Sequence, residues 1–296
     1  MTASLTTTDQ NDASMGTTKR LMFRHRAPTV MLYTLLCLAA TIFAFPIVWL
    51  IINSLKLNSE IGTIPFQFLP RRPIWSNYIE SVTRFPFLPA LGNSLLTAML
   101  STVPTVISSS LAGFGFARYR APGRDVLFMM MLATILIPNL ITAIPQFMIY
   151  ARLGMINTYW PWFIGGIGGA PFFIFLFRQF FAGIPRELEE AAELDGCNRF
   201  QIYSRIFLPN ATPVLATTFI FSFLGNWSDF ISPKLFLSEN QATLAAKLAS
   251  AYTDPKGNPL EAQTMAAIVL YVLPLVFVYL IGQRYIYQIS LHSGIK

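Results

Sequence analysis

Six stretches of this chain carry no charged residue and are long enough to cross a lipid bilayer: 29–55, 85–117, 126–151, 153–177, 206–228 and 262–283. A spanning helix needs about 20 mainly apolar residues, because the hydrocarbon core is roughly 30 Å thick and each helical residue rises about 1.5 Å. No other feature narrows the possible folds as far. Composition agrees, since only 12% of residues are charged and 54% are hydrophobic, against about 25% charged in soluble domains. The sequence therefore predicts an all-α membrane protein with six transmembrane helices, at roughly 29–52, 91–117, 126–150, 160–182, 210–232 and 264–284.

Four cations, Lys19, Arg20, Arg24 and Arg26, precede the first window. The apolar run after them is too long for a signal-peptide core and no small-residue cleavage site follows, so it reads as an uncleaved span. An even number of spans puts both termini on one side, and the Lys/Arg excess marks the cytoplasm. With the N-terminus inside, thirteen Lys/Arg fall on inner segments and eight on outer ones, which predicts cytoplasmic termini. Residues 1–28 read as a largely disordered tail, 29–288 as the membrane domain and 289–296 as a short cytoplasmic tail. Tyr159, Trp160 and Trp162 fall at the outer end of the fourth span, where an aromatic belt is expected. The net charge of +7 follows from the inside bias and carries no nucleic-acid inference. With two His, two distant Cys and no Cys-x-x-Cys, neither a metal site nor a disulfide is expected.

The outer segment 53–90 holds Pro65, Pro70, Pro73, Pro86 and Pro89 and reads as a capping loop rather than a helix. In the outer segment 233–263, "ENQATLAAKLASAY" has the spacing of a short amphipathic helix on the outer surface. Pro46, Pro104, Pro138, Pro145, Pro171, Pro213 and Pro274 predict kinked spans, tolerated where neighbouring groups satisfy the freed carbonyls.

One inner segment breaks the apolar pattern: "ELEEAAELDGCNRFQIYSRIFLP", residues 187–209. Pro185 suits the start of a helix, Glu187, Glu189 and Glu190 complement its positive end, Gly196 fits a left-handed stop, and Asn198 can cap a second helix running to Pro209. Leu188, Ala191 and Ala192 share one face of the first helix, and Phe200, Tyr203 and Phe207 one face of the second. A helix lying on anionic lipid is rich in Lys/Arg, whereas this one is acidic, so a cytoplasmic protein partner is the better reading.

"EAAELDG", nine residues and "IFLP" resemble the EAA loop of permease subunits in binding-protein-dependent ABC importers, with Glu190, Ala191, Ala192, Gly196, Ile206, Leu208 and Pro209 at matching positions. "NSLL" at 93–96, "FARYRAPGR" at 116–124, "LGMINT" at 153–158 and the ending "SGIK" are similar to the sugar-importer branch, specifically its shorter, MalG-like permease. In "NWSDFISPK", Trp227, Asp229, Phe230 and Pro233 fit that branch, while Ser228 replaces an Asn and Lys234 a Leu. The resemblance implies a type I importer permease of a bacterial cytoplasmic membrane, paired with a second permease, two ATPase subunits and an extracytoplasmic solute-binding protein. It implies that Glu190, Ala191, Ala192, Asp195 and Gly196 dock an ATPase subunit within a coupling loop at 183–209. ATP and Mg would sit on those ATPases, and this chain would bind no cofactor.

Independently of the resemblance, no Lys follows a Gly anywhere, so the phosphate-cradling Gly-x4-Gly-Lys-Ser/Thr loop is absent and the chain is not expected to be an enzyme. A stand-alone ion-driven carrier, the alternative, keeps charged coupling groups within its spans, and the six windows hold none. A membrane-embedded enzyme finds no acid/base constellation there. A neutral pathway suits mono- or oligosaccharides, with Asn139, Thr142, Gln146, Asn226, Trp227, Ser228 and Asp229 as candidate contacts on or beside the third and fifth spans. For each, bonding within its own helix or to a neighbouring one is an equal reading. Lys234 leaves a glycerol phosphate or a uronic-acid oligosaccharide open as the solute.

Overall fold

The computed structural model describes residues 9–250 and 252–293, with side chains within 29–284. Residues 1–8 of the expected tail and the last three residues of "SGIK" lie outside the described residues. The helices are α1 (Asp9–Ser54), α2 (Ser76–Thr83), α3 (Phe87–Arg118), α4 (Arg124–Ala133), α5 (Asn139–Arg152), α6 (Trp160–Ile167) and α7 (Pro171–Ala182). They continue as α8 (Arg186–Leu194), α9 (Arg199–Ile202), α10 (Leu208–Asn210), α11 (Thr212–Ser228), α12 (Ile231–Phe236), α13 (Leu244–Leu248) and α14 (Glu261–Ser293). Four spans are continuous or nearly so: Thr29–Ser54, Phe87–Arg118, Trp160–Ala182 and Glu261–Arg284. Two bent helix pairs bring the total to six.

The third span is not one rod. Its halves meet at 100° between Leu136 and Asn139. Pro138 is the cause: its ring pushes Ile137 out of the helical region, to φ −82° and ψ 114°, and the helix must end there. The fourth span breaks at Gly169, φ +68°, where the Ala170 N–H donates to Ser109 Oγ of α3 at 3.0 Å. A hydroxyl from a neighbouring helix thus satisfies the amide that the break releases. The fifth span bends by 80° between Asn210 and Thr212, and Pro171 and Pro213 sit in the first turns of α7 and α11, just past the breaks in their spans, where proline fits a helix start.

α3 is the central post. It packs on α6 and α7 along one side and on α11 along the other, α11 leads on to α14, and α14 to α1. Close approach depends on small residues, as expected where no hydrophobic force drives helices together in lipid. A Cβ on Gly113 would lie 2.5 Å from Phe177 Cβ, and one on Gly166 2.7 Å from the Ser101 carbonyl oxygen. The α3–α11 seam is lined with hydroxyls. Thr97 donates to Asn93 O at 2.9 Å, Thr217 to Pro213 O at 2.9 Å and Thr218 to Val214 O at 2.8 Å. Across the seam, Ser222 Oγ and Asn226 Nδ2 donate to Thr102 Oγ1 at 3.3 and 3.4 Å. None of α1's residues 29–52 is buried.

The two segments expected on the outer side, 53–90 and 233–263, each depart from the sequence reading. The prolines of 53–90 cluster before Ile74 and after Phe85, and the gap between them forms α2. α13 is only five residues long and turns Leu244, Ala245 and Ala246 inward, so it packs into the bundle instead of lying on its surface. Of the three expected belt aromatics Trp160 alone is exposed; Trp162 is buried against Phe236, and Tyr159 donates to Asn93 Oδ1 at 2.9 Å. Tyr252 stacks on Phe85 with centroids 3.6 Å apart, and burial pushes its phenol up to about 12, keeping it neutral.

Lys56 fastens the loop that follows α1. Its side chain is buried, Nζ donates to Gln67 O at 2.7 Å, and it lies 5.1 Å from the Trp49 ring centroid and 5.6 Å from that of Phe66. Lys56→Ala removes a desolvated cation–π contact and a charge-assisted hydrogen bond, a loss of about 1–2 kcal/mol confined to this loop. Tryptic cleavage after Arg71 in detergent is expected to speed up roughly tenfold while the bundle stays intact; an unchanged rate would show that the loop is held by other contacts.

Candidate functional site

The acidic segment 187–209 forms a helical hairpin. Pro185, with φ −56° and ψ 142°, precedes α8, and Glu187 and Glu189 occupy its first turn. Gly196 stands at φ +80°. Around it the Cys197 N–H donates to Ala192 O at 2.9 Å and the Gly196 N–H to Glu193 O at 3.0 Å, the paired bonds of a Schellman stop. Asn198 then opens α9 with a reciprocal cap: Gln201 N donates to Asn198 Oδ1 at 2.9 Å and Asn198 N to Gln201 Oε1 at 2.8 Å. The second helix reaches Pro209 through a π-helical stretch, Tyr203–Phe207.

The hairpin sits on an apolar cluster that joins α3, α7 and α11, including Phe114, Phe181, Ala192, Tyr203, Phe207 and Val214. Tyr203 Oη and Ser110 Oγ are 2.6 Å apart. Two expectations about its faces change. Ala192 points inward, its small side chain letting α8 settle on this cluster, while Glu190, Ala191, Asp195 and Gly196 are exposed. Phe200 does not share the burial of Tyr203 and Phe207: its ring lies 6.1 Å from that of Tyr203 but is 68% exposed, and Leu194 and Leu188 are exposed too, at 90% and 48%. The outer face of the hairpin is thus acidic with apolar points, the composition of a protein-contact surface rather than of a lipid-resting one.

The sequence reading missed the ion pairs that hold the hairpin. Arg118, the last residue of α3, has a side chain only 6% exposed and donates through Nη2 to the carbonyl oxygens of Phe181, at 2.7 Å, and Ile184. Its Nη1 lies 3.7 Å from Glu189 Oε2, its guanidinium carbon 4.6 Å from the Phe207 ring centroid, and its buried Nε has no hydrogen-bond partner among the described residues. Glu189 in turn accepts from Arg199 Nη1 at 2.8 Å, and Arg199 also pairs with Glu193. The available signal was Arg118, the charge that ends the long window 85–117.

Three of the seven predicted pathway residues converge. Gln146 from α5, Asn226 from α11 and Asp229 just beyond it line one cavity of about 160 Å³ together with Ser101, Tyr150 and Trp162. Asp229 Oδ1 accepts from the N–H groups of Ile231, at 3.0 Å, and Ser232, at 3.1 Å, so it also caps α12. The other four lie elsewhere. Asn139 and Thr142 sit in the first turn of α5, the Thr142 hydroxyl donating to Asn139 O at 2.9 Å, and Ser228 donates to Leu224 O at 2.8 Å. Trp227 is 1% exposed, stacked between Phe223 and Tyr271 with both centroids 5.5 Å away. It faces the chain's own α14 because the large apolar ring gains most where α11 and α14 close on it.

The family described as "Binding-protein-dependent transport system inner membrane component" matches residues 105–288. The lactose transport system permease protein LacG of Rhizobium radiobacter is 30% identical over 276 residues, covering 91% of this chain and 97% of that one. The arabinooligosaccharides transport system permease protein AraQ of Halalkalibacterium halodurans is 32% identical over 261 residues, 87% of this chain and 92% of that one. A crystal structure of a bacterial ABC transporter involved in the import of the acidic polysaccharide alginate contains a chain of the same fold, with TM-score 0.75 at 22% identity, covering 88% of this chain and 97% of that one. The chain belongs to the binding-protein-dependent transport system inner membrane components, the non-catalytic permease subunits of ABC transporters, and is a multi-pass membrane protein.

Proposed function

We propose that this chain forms half of the translocation pathway of an ATP-driven importer for uncharged mono- or oligosaccharides, with both termini and the 183–209 hairpin in the cytoplasm. The observation that carries this reading is the hairpin: a rigid, doubly capped, acidic element that projects Glu190, Ala191, Asp195 and Leu194 away from the bundle. A groove of an ATPase subunit is its partner, Glu190 and Asp195 meeting basic groups there and Ala191 allowing close approach. A second permease supplies the other half of the pathway, two ATPases carry ATP and Mg, and an extracytoplasmic binding protein delivers the sugar. ATP-driven closure of the ATPases draws the hairpins together and switches the pathway between inward- and outward-open forms.

The names of the relatives, lactose and arabinooligosaccharide permeases, support a sugar. The lining supports a neutral one, since Gln146, Asn226, Ser101 and Tyr150 offer hydrogen bonds without a cation. Its volume equals that of about five liquid waters, so the cavity is one wall of a site completed by the partner permease. The test is reconstitution with partner permease, ATPases and binding protein, measuring ATP hydrolysis stimulated by a panel of loaded solutes. Stimulation by sugars is expected. Stimulation by an amino acid, a peptide or a metal, and by no sugar, overturns the substrate class. The topology is read by cysteine labelling at Leu194 in a chain with Cys37 and Cys197 replaced: an impermeant reagent is expected to reach it only in inside-out vesicles, and labelling of intact cells overturns the orientation.

A further inference from the structure

We propose that Arg118 is the positioning residue through which motion of the coupling hairpin enters the bundle, with Glu189 as its handle on the hairpin; this rests on the docking reading above. Four segments meet at these two side chains. Arg118 belongs to α3, the post on which α6, α7 and α11 pack. Its Nη2 donates to the carbonyls of Phe181, in the last turn of α7, and of Ile184, two residues past the end of that helix. Its Nη1 faces Glu189 of α8, which in turn holds Arg199 of α9. Apart from the hydrogen bond between Tyr203 and Ser110, which ties the second helix of the hairpin to α3, the remaining contacts with the bundle are mostly apolar, non-directional and permissive of sliding. A guanidinium fork fixes direction as well as distance.

Two details distinguish a moving joint from a static brace. Nη1 stands 3.7 Å from Glu189 Oε2, an ion pair longer than a hydrogen bond. Nε of the same guanidinium is buried without a partner among the described residues, which a permanent contact would not leave unsatisfied. Nε and Nη1 lie on different edges of the fork, so a small shift of α8 toward the bundle brings the 13%-exposed Glu189 carboxylate into a true hydrogen bond with one of them. The pair has a loose form, seen here, and a closed form, reached when the ATPases push the hairpin inward. In the closed form any further tilt of α8 must carry the ends of α3 and α7 with it.

Arg118→Gln, Arg118→Lys and Glu189→Gln are to be assembled with the partner permease, ATPases and binding protein, and uptake and ATP hydrolysis measured per assembled complex with a substrate sugar. For the two glutamine variants, ATPase recovery is expected at the parental ratio, hydrolysis within threefold of the parent, and sugar moved per ATP hydrolysed reduced tenfold or more. Arg118→Lys keeps the charge but not the fork and is expected to recover part of that ratio. Sugar per ATP within twofold of the parent in both glutamine variants overturns the proposal, as does a parallel fall of uptake and hydrolysis that follows lost assembly. Should a lone buried charge prevent insertion, Arg118→Leu combined with Glu189→Leu removes both charges at once and tests the same ratio. A parental ratio, or failure of this double variant to insert, assigns the pair to folding and overturns the proposal. Failure of the parent chain to recover any ATPase would instead overturn the docking reading.

Discussion

Gly196→Val is expected to abolish ATP-driven uptake while the chain still inserts in the membrane, whereas Gly196→Asn retains most of it. The distinction comes from the backbone alone. Gly196 stands at φ +80°, and a Cβ built there meets nothing within 4 Å. Space therefore sets no limit and conformation sets all of it. A β-branched residue is a genuine outlier at this φ, while Asn enters the left-handed region readily. Valine must unwind the Schellman stop, releasing the bonds from Cys197 to Ala192 and from Gly196 to Glu193 and swinging α9 away from α8. Uptake in proteoliposomes, with ATPase co-purification beside it, is the measurement. Equal uptake by the two variants would show that the hairpin's stop is irrelevant to coupling.

The second large effect lies within the bundle. Gly113→Ala is expected to cost the isolated permease several kcal/mol of stability and most of its yield, because the added carbon falls 2.5 Å from Phe177 Cβ and 3.0 Å from the Arg178 backbone nitrogen. A flexible side-chain tip could yield; a Cβ and a main-chain atom cannot, so α3 and α7 must separate along their most extensive contact. Gly115→Ala, two residues along the same helix, meets nothing within 4 Å and is expected to be neutral or to gain about 0.5–1 kcal/mol of helix propensity. Thermal unfolding in detergent separates the two. A matching loss at both positions would mean that helix backbone, not the α3–α7 contact, is being perturbed.

The sequence predicted what repeats locally or depends on one residue's backbone. Apolar windows gave the spans, and Gly196 and Asn198 gave the hairpin's stop and cap, because left-handed φ and side-chain capping are properties of single positions. The bend at Pro138 was half legible: the proline was visible, but whether a helix kinks or breaks there depends on what packs beside it. Long-range pairings were not legible. Arg118 and Glu189 are 71 positions apart in the numbering, and no periodicity joins them. Burial of Trp227 and Ala192 was missed for the same reason, since a helical face shows that a side chain is apolar but not which neighbour covers it.

The hydroxyl seam between α3 and α11 has a consequence for how readily the two helices can be parted. Thr97, Thr217 and Thr218 each keep their proton on a carbonyl of their own helix, and Asn226 keeps a 2.8 Å bond to Ser222 O. Separation therefore forfeits chiefly two long bonds to Thr102 and strands few donors in hydrocarbon. A seam of unpaired amides or charges would lock once closed and, once opened, would expose groups that nothing in the lipid could satisfy. This one behaves as a bearing: most of its polar groups carry their own partners with them, so a modest push from the hairpin end can open and reclose it many times without a large barrier in either direction.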